Sequence, residues 1–285
     1  MHKLISRLVK FERSIIPNLP LWVWQAASLL LYYPLLKVSV KYADWKEYNS
    51  KRPNNLLKNV PPPSLRVRVG GGLSEMSSES FVRIGGELAE NIENILQIHL
   101  KRKLSSFENV LDFGCGCGRV LVCLHEKNDV NYYGTDIDKD AILWCKDNLK
   151  FADFHVNSHA PPMKYKSETF DLIYSISVFT HIDERFQLAW VRELHRLLKP
   201  NGILLISVLG SHSHKLLPKD ARNKLQSDGF VFFKIFPSWY QLAYHTKEYI
   251  IQNFSDHFKQ LAYIENGIRD QDAVLFQKIR SQSGK

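Results

Sequence analysis

Cysteine is scarce in this chain, with 4 in 285 residues. Cys115, Cys117 and Cys123 crowd one short segment, and Cys145 stands alone. That spacing suits no disulfide framework, and no second Cys or His pair follows at a zinc-like interval. A reducing, cytoplasmic setting with no metal is expected. Acidic residues are the minority charge, 29 against 38 Lys and Arg, for a net charge of +9. The basic excess permits attraction to anions. It is spread along the chain without the dense run or motif of a nucleic-acid surface, so no nucleic-acid partner is expected. A membrane-spanning run is missing as well. Leu21 to Leu36 would reach about 24 Å as a helix, short of the ~30 Å hydrocarbon core, and Gln25, Ser28 and Pro34 weaken it further. No small-residue cleavage site follows, which argues against a secretory signal. Internal repeats are absent.

The composition, 45% hydrophobic and 24% charged, is that of a globular protein. At the N-terminus, "MHKLISRLVKFERSIIP" sets Lys3, Arg7, Lys10 and Arg13 among Leu4, Ile5, Leu8, Val9 and Phe11, a basic amphipathic helix pattern. Trp22, Trp24, Tyr32 and Tyr33 follow in the apolar run. Residues 1–42 therefore read as cap helices packed over the main domain, as an interfacial segment in peripheral contact with a membrane, or as an anchor. "NSKRPNNLLKNVPPPSL" reads as a linker with an extended polyproline segment at Pro61 to Pro63. The expected division is 1–60, a helical cap or membrane-surface segment with its linker, and 61–285, one main domain. Beyond the linker, Leu88, Ile92, Ile95 and Leu96 mark one face of a helix.

The chemistry is concentrated in "NVLDFGCGCGRVL", Asn109 to Leu121. "NVLDF" is a short apolar strand and "RVLVCLHE" has helical spacing, so Gly114, Gly116 and Gly118 occupy a strand-to-helix turn. Parallel α/β sheets bind ligands at such turns, where glycines let backbone amides approach and a helix start favours negative groups. The dinucleotide pattern GxGxxG would place its third glycine where Arg119 stands. The order is instead GxGxG, with an acid, Asp112, two residues before the first glycine. "VNYYGTDIDKDAILWC" reads as a second strand ending at Asp136, then a helix capped by Asp138 with Ile142 and Cys145 inward.

At this point the chain resembles the class I S-adenosylmethionine-dependent methyltransferases. "FHVNSHAPPM" is similar to that family's third strand and adenine loop, with Asn157 where an Asp is common. "FDLIYSISVFTHI" is similar to the fourth strand, and "ELHRLLKPNGILLISV" to a helix, a turn at Pro200 to Gly202 and the fifth strand. "QDAVLFQKI" suits a final antiparallel strand. The resemblance covers about Leu65 to Ile279 and implies an α/β fold: a doubly wound, Rossmann-like, seven-stranded and mostly parallel sheet, here with an N-terminal helical extension. It also implies S-adenosyl-L-methionine as cofactor. Asp136 would accept hydrogen bonds from both ribose hydroxyls. Asp112, Gly114, Gly116, Gly118, Ile137, Asn157, Ser158 and Ser175 would line the cofactor, with Arg68 toward its methionine carboxylate. "PPPSLRVRVGG", "SVFTHI", "YHTKEY" and "GIRDQDAVLFQK" resemble a bacterial-type subgroup that often accompanies glycan and secondary-metabolite pathways, which implies a small-molecule or glycan-like acceptor.

His181, just past the fourth strand, stands where an imidazole could take an acceptor's proton, and the alternative is a backbone-bonded helix cap. His245 is a second candidate base, with Trp239, Tyr240 and Tyr244 as acceptor walls or as an aromatic packing cluster. The activity expected is methyl transfer to oxygen or nitrogen. A non-catalytic protein that binds the same cofactor is the rival reading, and a nicotinamide dehydrogenase a distant third.

Overall fold

A computed structural model describes residues 33–49, 59–70, 77–125, 130–234 and 241–279, with residues 23 and 30 singly. The amphipathic N-terminus, most of the apolar run, and Trp239 and Tyr240 lie outside the described residues. Three helices lead in: α1 (Tyr33–Asn49), α2 (Pro63–Gly70) and α3 (Ser78–Leu100). In α2 the structure corrects the expected polyproline segment, because Pro63 opens a helix. Proline is tolerated there, since its missing N–H would have no helical partner and its fixed φ suits the first turn. The Pro62 carbonyl accepts the first bonds, from Leu65 N at 2.9 Å and Arg66 N at 3.0 Å. In α3, Ser77 caps the start by accepting from Ser80 N, and the buried face extends the expected one to Phe81 and Ile84.

Strand and helix then alternate: β1 (Asn109–Phe113), α4 (Arg119–His125), β2 (Asn131–Asp136), α5 (Lys139–Asn148), β3 (Ala152–Val156), β4 (Phe170–Ser175), α6 (Glu184–Leu197) and β5 (Leu198–Val208). The C-terminal part adds α7 (Ser211–His214), α8 (Lys219–Asp228), β6 (Phe230–Phe233), β7 (Leu242–His245), α9 (Lys247–Phe254), β8 (Phe258–Ile268) and β9 (Gln271–Lys278). Seven strands form one sheet in the order β3-β2-β1-β4-β5-β9-β8. The first five run parallel, and β9 runs antiparallel to both neighbours. This is the doubly wound α/β fold expected.

Side-chain alternation along the strands divides the core into two layers. Val110, Leu172, Tyr174, Ile203 and Leu205 pack against α3, α4 and α5. Leu111, Phe113, Ile173, Leu204 and Ile206 pack against α6 and α9. The chain moves outward from β1 through β2 to β3, then crosses back to β4 on the far side of β1. The carboxyl ends of β1 and β4 thus flank the topological switch point, where such sheets bind ligands.

Two local readings need correction. Pro200 to Gly202 form no separate turn before β5; they loop out within it. The β4–β5 register jumps from Phe170↔Leu198 to Leu172↔Ile203, and Asn201 takes a left-handed φ of 62°. The antiparallel pair β6–β7, with Phe230 opposite His245, was not expected. It packs with α8 around Leu217, Leu225, Val231 and Phe233, and the Ala243 amide bonds the Thr180 carbonyl at 2.7 Å.

Ile173 is fully buried on the central strand β4. Ile173→Ala should destabilise the fold by about 2–5 kcal/mol, read as a lower urea midpoint at unchanged slope.

Candidate functional site

The turn after β1 is built from left-handed backbone, with φ of 84° at Gly114, 53° at Gly116 and 75° at Gly118. Two of these glycines also make room for neighbours. A Cβ on Gly114 would lie 2.1 Å from Val178 Cγ2, and one on Gly116 would lie 2.2 Å from Val69 Cγ1. The β4 exit and the end of α2 therefore close against the turn from two sides. The Thr135 carbonyl fixes its start, accepting from Gly114 N at 2.7 Å and Cys115 N at 2.9 Å.

Asp136 ends β2 beside this turn. Its Oδ2 accepts from Gly116 N at 2.7 Å and its Oδ1 from Asp138 N at 2.8 Å. Each carboxylate oxygen can accept more than one bond, so capacity for further donors remains. Burial raises its pKa, and the amide bonds from Asp138 and Gly116 oppose the rise. Asp138 caps α5 as expected, accepting from Asp140 N and Ala141 N. It also pairs with Arg68, whose Nη1 lies 2.7 Å from Asp138 Oδ2 and 3.3 Å from Asp140 Oδ2. Arg68 is thus engaged by two carboxylates on the first turn of α5. Arg119 adds a second tie, donating from Nη2 to the Val69 carbonyl at 2.9 Å. Ile137 projects outward beside Asp136 and is exposed.

Asp112, one residue before the end of β1, is buried, and its Oδ2 accepts from the Tyr174 hydroxyl at 3.0 Å. Burial pushes its carboxyl up to about 8; the Tyr174 hydrogen bond and the Arg119 charge pull down, and the Asp136 charge pushes up. Two buried oxygens nearby lack partners: Ser175 Oγ at the end of β4 and Asn157 Oδ1 just past β3. The Asn157 amide nitrogen Nδ2 donates to the Ser158 carbonyl at 2.9 Å, and Ser158 itself is exposed. Such orphaned acceptors are uncommon in native interiors and need a donor. Two carboxyls with acceptor capacity, flanked by these oxygens, fit the ribose hydroxyls, ammonium and base edge of S-adenosyl-L-methionine.

The two histidines differ. His181 sits in the turn after β4, its amide bonded to the Val178 carbonyl at 2.8 Å and its Nδ1 to the Gln241 carbonyl. A carbonyl only accepts, so Nδ1 carries the proton and Nε2 is the basic nitrogen. Burial lowers its pKa, and the Gln241 bond acts the other way. His245 lies on β7 with no exposed surface, packed on Phe230 and Tyr249, its Nε2 within 2.9 Å of Gln187 Nε2. Burial pushes it down to about 3, and the His214 charge adds to that. It is an interior side chain.

Sequence reasoning missed a polar triangle at the carboxyl edge. Ser177 N donates to Ser207 Oγ at 2.7 Å, Ser207 Oγ to Gln271 Oε1 at 2.6 Å, and Gln271 Nε2 to Ser177 Oγ at 3.0 Å. It ties the β4 exit to β5 and β9, and Ser177 is held at a left-handed φ of 60°. A shallow, open depression lies at the same edge, lined by the exposed side chains of His212, Asn266, Arg269 and Asp270.

The raised Asp112 carboxyl makes a stability prediction. Its folded pKa of about 8 lies above the unfolded 3.8, so its favourable contribution is complete below 3.8 and is lost as pH rises toward 8. Asp112→Asn keeps an acceptor for Tyr174 and removes the charge. The variant should gain stability over the parent progressively between these values, up to roughly 5 kcal/mol. Melting temperatures across that range check this, and a constant difference would count against the assignment.

Comparison with known proteins agrees with this geometry. A family described as a methyltransferase domain matches residues 81–256, more than half of the chain. The curated methyltransferase GfsG of Streptomyces halstedii is 26% identical over 116 residues, 39% of this chain and 41% of that protein. Phosphoethanolamine N-methyltransferase 1 of Arabidopsis thaliana is 30% identical over 138 residues, 45% of this chain and 26% of that protein. The matched segments thus span well under half of either relative. The crystal structure of the PH0226 protein from Pyrococcus horikoshii OT3 shares the fold, with a TM-score of 0.51 at 19% identity over 71% of this chain and 92% of that one. The family match, together with the glycine turn and its paired carboxyls, means that the chain belongs to the methyltransferase-domain family and carries an S-adenosyl-L-methionine-dependent domain.

Proposed function

We propose that this protein transfers a methyl group from S-adenosyl-L-methionine to an oxygen or nitrogen of a small-molecule or glycan-like acceptor, in the cytoplasm, with residues 61–285 as the catalytic unit. The observation that carries the reading is Asp136, held by the amides of Gly116 and Asp138 with acceptor capacity to spare at the switch point. When bound, the cofactor supplies an electrophilic methyl on a positively charged sulfur. The residues around it bind and orient. Asp136 takes the ribose hydroxyls, Asp112 in its ionised form faces the ammonium, and Asn157 and Ser158 meet the base edge. Ser175 supplies a buried hydroxyl, and Ile137 an apolar wall. Arg68, held by Asp138 and Asp140, would have to leave that pairing to reach the methionine carboxylate.

Alignment of acceptor and methyl group supplies most of the rate, about 7–11 kcal/mol, against roughly 3–5 kcal/mol from a positioned base. His181 is assigned as that base: its basic Nε2 takes the proton of a hydroxyl acceptor. His245, buried against Gln187, has no such role. Nitrogen acceptors have a precedent in the phosphoethanolamine N-methyltransferase relative.

Calorimetric titration tests the cofactor site. Asp136→Ala removes two charge-assisted hydrogen bonds and should weaken S-adenosyl-L-methionine binding by about 10² or more. Because Asp112 must ionise to bind an ammonium, affinity should climb as pH approaches 8, with protons released on binding near neutrality. Affinity that stays flat over this range would remove Asp112 from the site. For the base, His181→Ala should slow transfer to a hydroxyl acceptor by about 10²–10⁴ with cofactor affinity unchanged. Folded protein that binds no cofactor would overturn the proposal as a whole.

A further inference from the structure

Helix α1 has two unlike long faces. One packs on α2. Leu36 is buried, Asp44 Oδ1 accepts from Ser64 N at 3.1 Å, and the Glu47 carboxylate grips the buried Arg66 guanidinium at 2.6 and 3.1 Å. On the other face Leu35, Val38, Tyr42 and Trp45 recur at intervals of three and four residues, with exposures of 56%, 68%, 50% and 62%. Tyr48 beside them is 88% exposed. A contiguous apolar stripe left in water is unusual and marks an interaction surface.

The charges on α1 are sorted in the same way. Its acids, Asp44 and Glu47, point toward α2. Its lysines, Lys37, Lys41 and Lys46, are exposed alongside the stripe. The outer face therefore offers apolar and aromatic surface whose neighbouring charges on α1 are lysines. Tyr and Trp partition to the headgroup level of a bilayer, and lysines beside them meet lipid phosphates. A second copy of the same face would bring lysines against lysines.

We propose that this face of α1 docks on an anionic lipid surface. The helix, about 25 Å long by its 17 residues, lies along the interface and does not cross it. Among the described residues no helix is long and apolar enough to span a membrane. Docking also reaches the cofactor turn. Arg66 joins α1 to α2, and two residues further on Arg68 and Val69 close over Asp138 and Gly116. A surface that holds α1 in place holds this strap in place. The proposal does not rest on methyl transfer.

The test uses the full chain with vesicles of phosphatidylcholine alone and of phosphatidylcholine mixed with phosphatidylglycerol, read by co-sedimentation. The wild type should bind the anionic vesicles only, and less so at high salt. Val38→Glu combined with Trp45→Glu should weaken that binding about tenfold or more. The triple change Lys37→Glu, Lys41→Glu and Lys46→Glu should abolish the preference for anionic lipid. All three proteins should bind S-adenosyl-L-methionine alike in solution. That control separates loss of docking from loss of fold, and separates failure of docking from failure of the catalytic reading. Three results would overturn the proposal: a wild type that ignores anionic vesicles, variants that bind them as well as the parent, or a stripe whose substitution turns a dimer into a monomer by light scattering.

Discussion

Two carboxyl groups at adjacent strand ends, Asp112 buried and Asp136 partly so, govern how this site is built. Asp112 and Asp136 are each a charge cost to the fold, since burial disfavours the ionised form of both. The protein offsets part of that cost with directed donors: the Tyr174 hydroxyl for Asp112, and the Gly116 and Asp138 amides for Asp136. The Gly116 amide reaches Asp136 because the turn is left-handed, and the left-handed turn is packed by Val69 and Val178. Carboxyl, turn and packing valines therefore form one unit. The compensation the chain supplies is partial, which leaves both carboxyls with acceptor capacity for a ligand bearing hydroxyls or positive charge.

Features of this unit that depend on near neighbours in the chain were legible in the sequence. The strand-turn-helix at Asn109 to Leu121 and the Asp138 cap follow from short-range signals, glycines where φ is positive and an Asp ahead of a helix. The seven-stranded, mostly parallel sheet followed from resemblance. Contacts between distant residues were not legible. Arg68 meets Asp138 across 70 positions, and Tyr174 meets Asp112 across 62, through the pairing of β1 with β4. The Pro61 to Pro63 run reads as an extended segment, and what makes Pro63 a helix start is the contact of α2 with α1 and the glycine turn, which lies between distant residues. Strands β6 and β7 have four residues each, too few for alternation to register.

The α2 segment shows how an element outside the α/β alternation becomes part of its site. Arg66 is nearly inaccessible, bonded to the Glu47 carboxylate and to the Pro61 carbonyl at 2.6 Å. A buried guanidinium left without its carboxylate is strongly unfavourable, so α1 and α2 move as a pair. At the other end of α2, the Arg68 ion pairs are partly exposed and individually weak. The strap is therefore held at one end by a buried ion pair and at the other by exposed ion pairs together with the Val69 contacts on the glycine turn.

The same division of labour explains the two histidines. Gln187 Nε2 donates to the Ile182 carbonyl at 2.9 Å and lies 2.9 Å from His245 Nε2, so one amide ties α6 to the β4 exit and to β7. The Ala243 amide bonds Thr180 from the same hairpin, and the Gln241 carbonyl at its edge receives His181 Nδ1. His245 is thus a strut in the wall that sets the tautomer of His181. A neutral, fully packed imidazole serves as a strut because its lowered pKa keeps charge out of the interior at any ordinary pH. His181, half-buried and fixed at one nitrogen, keeps its basic nitrogen defined by the carbonyl on the other side.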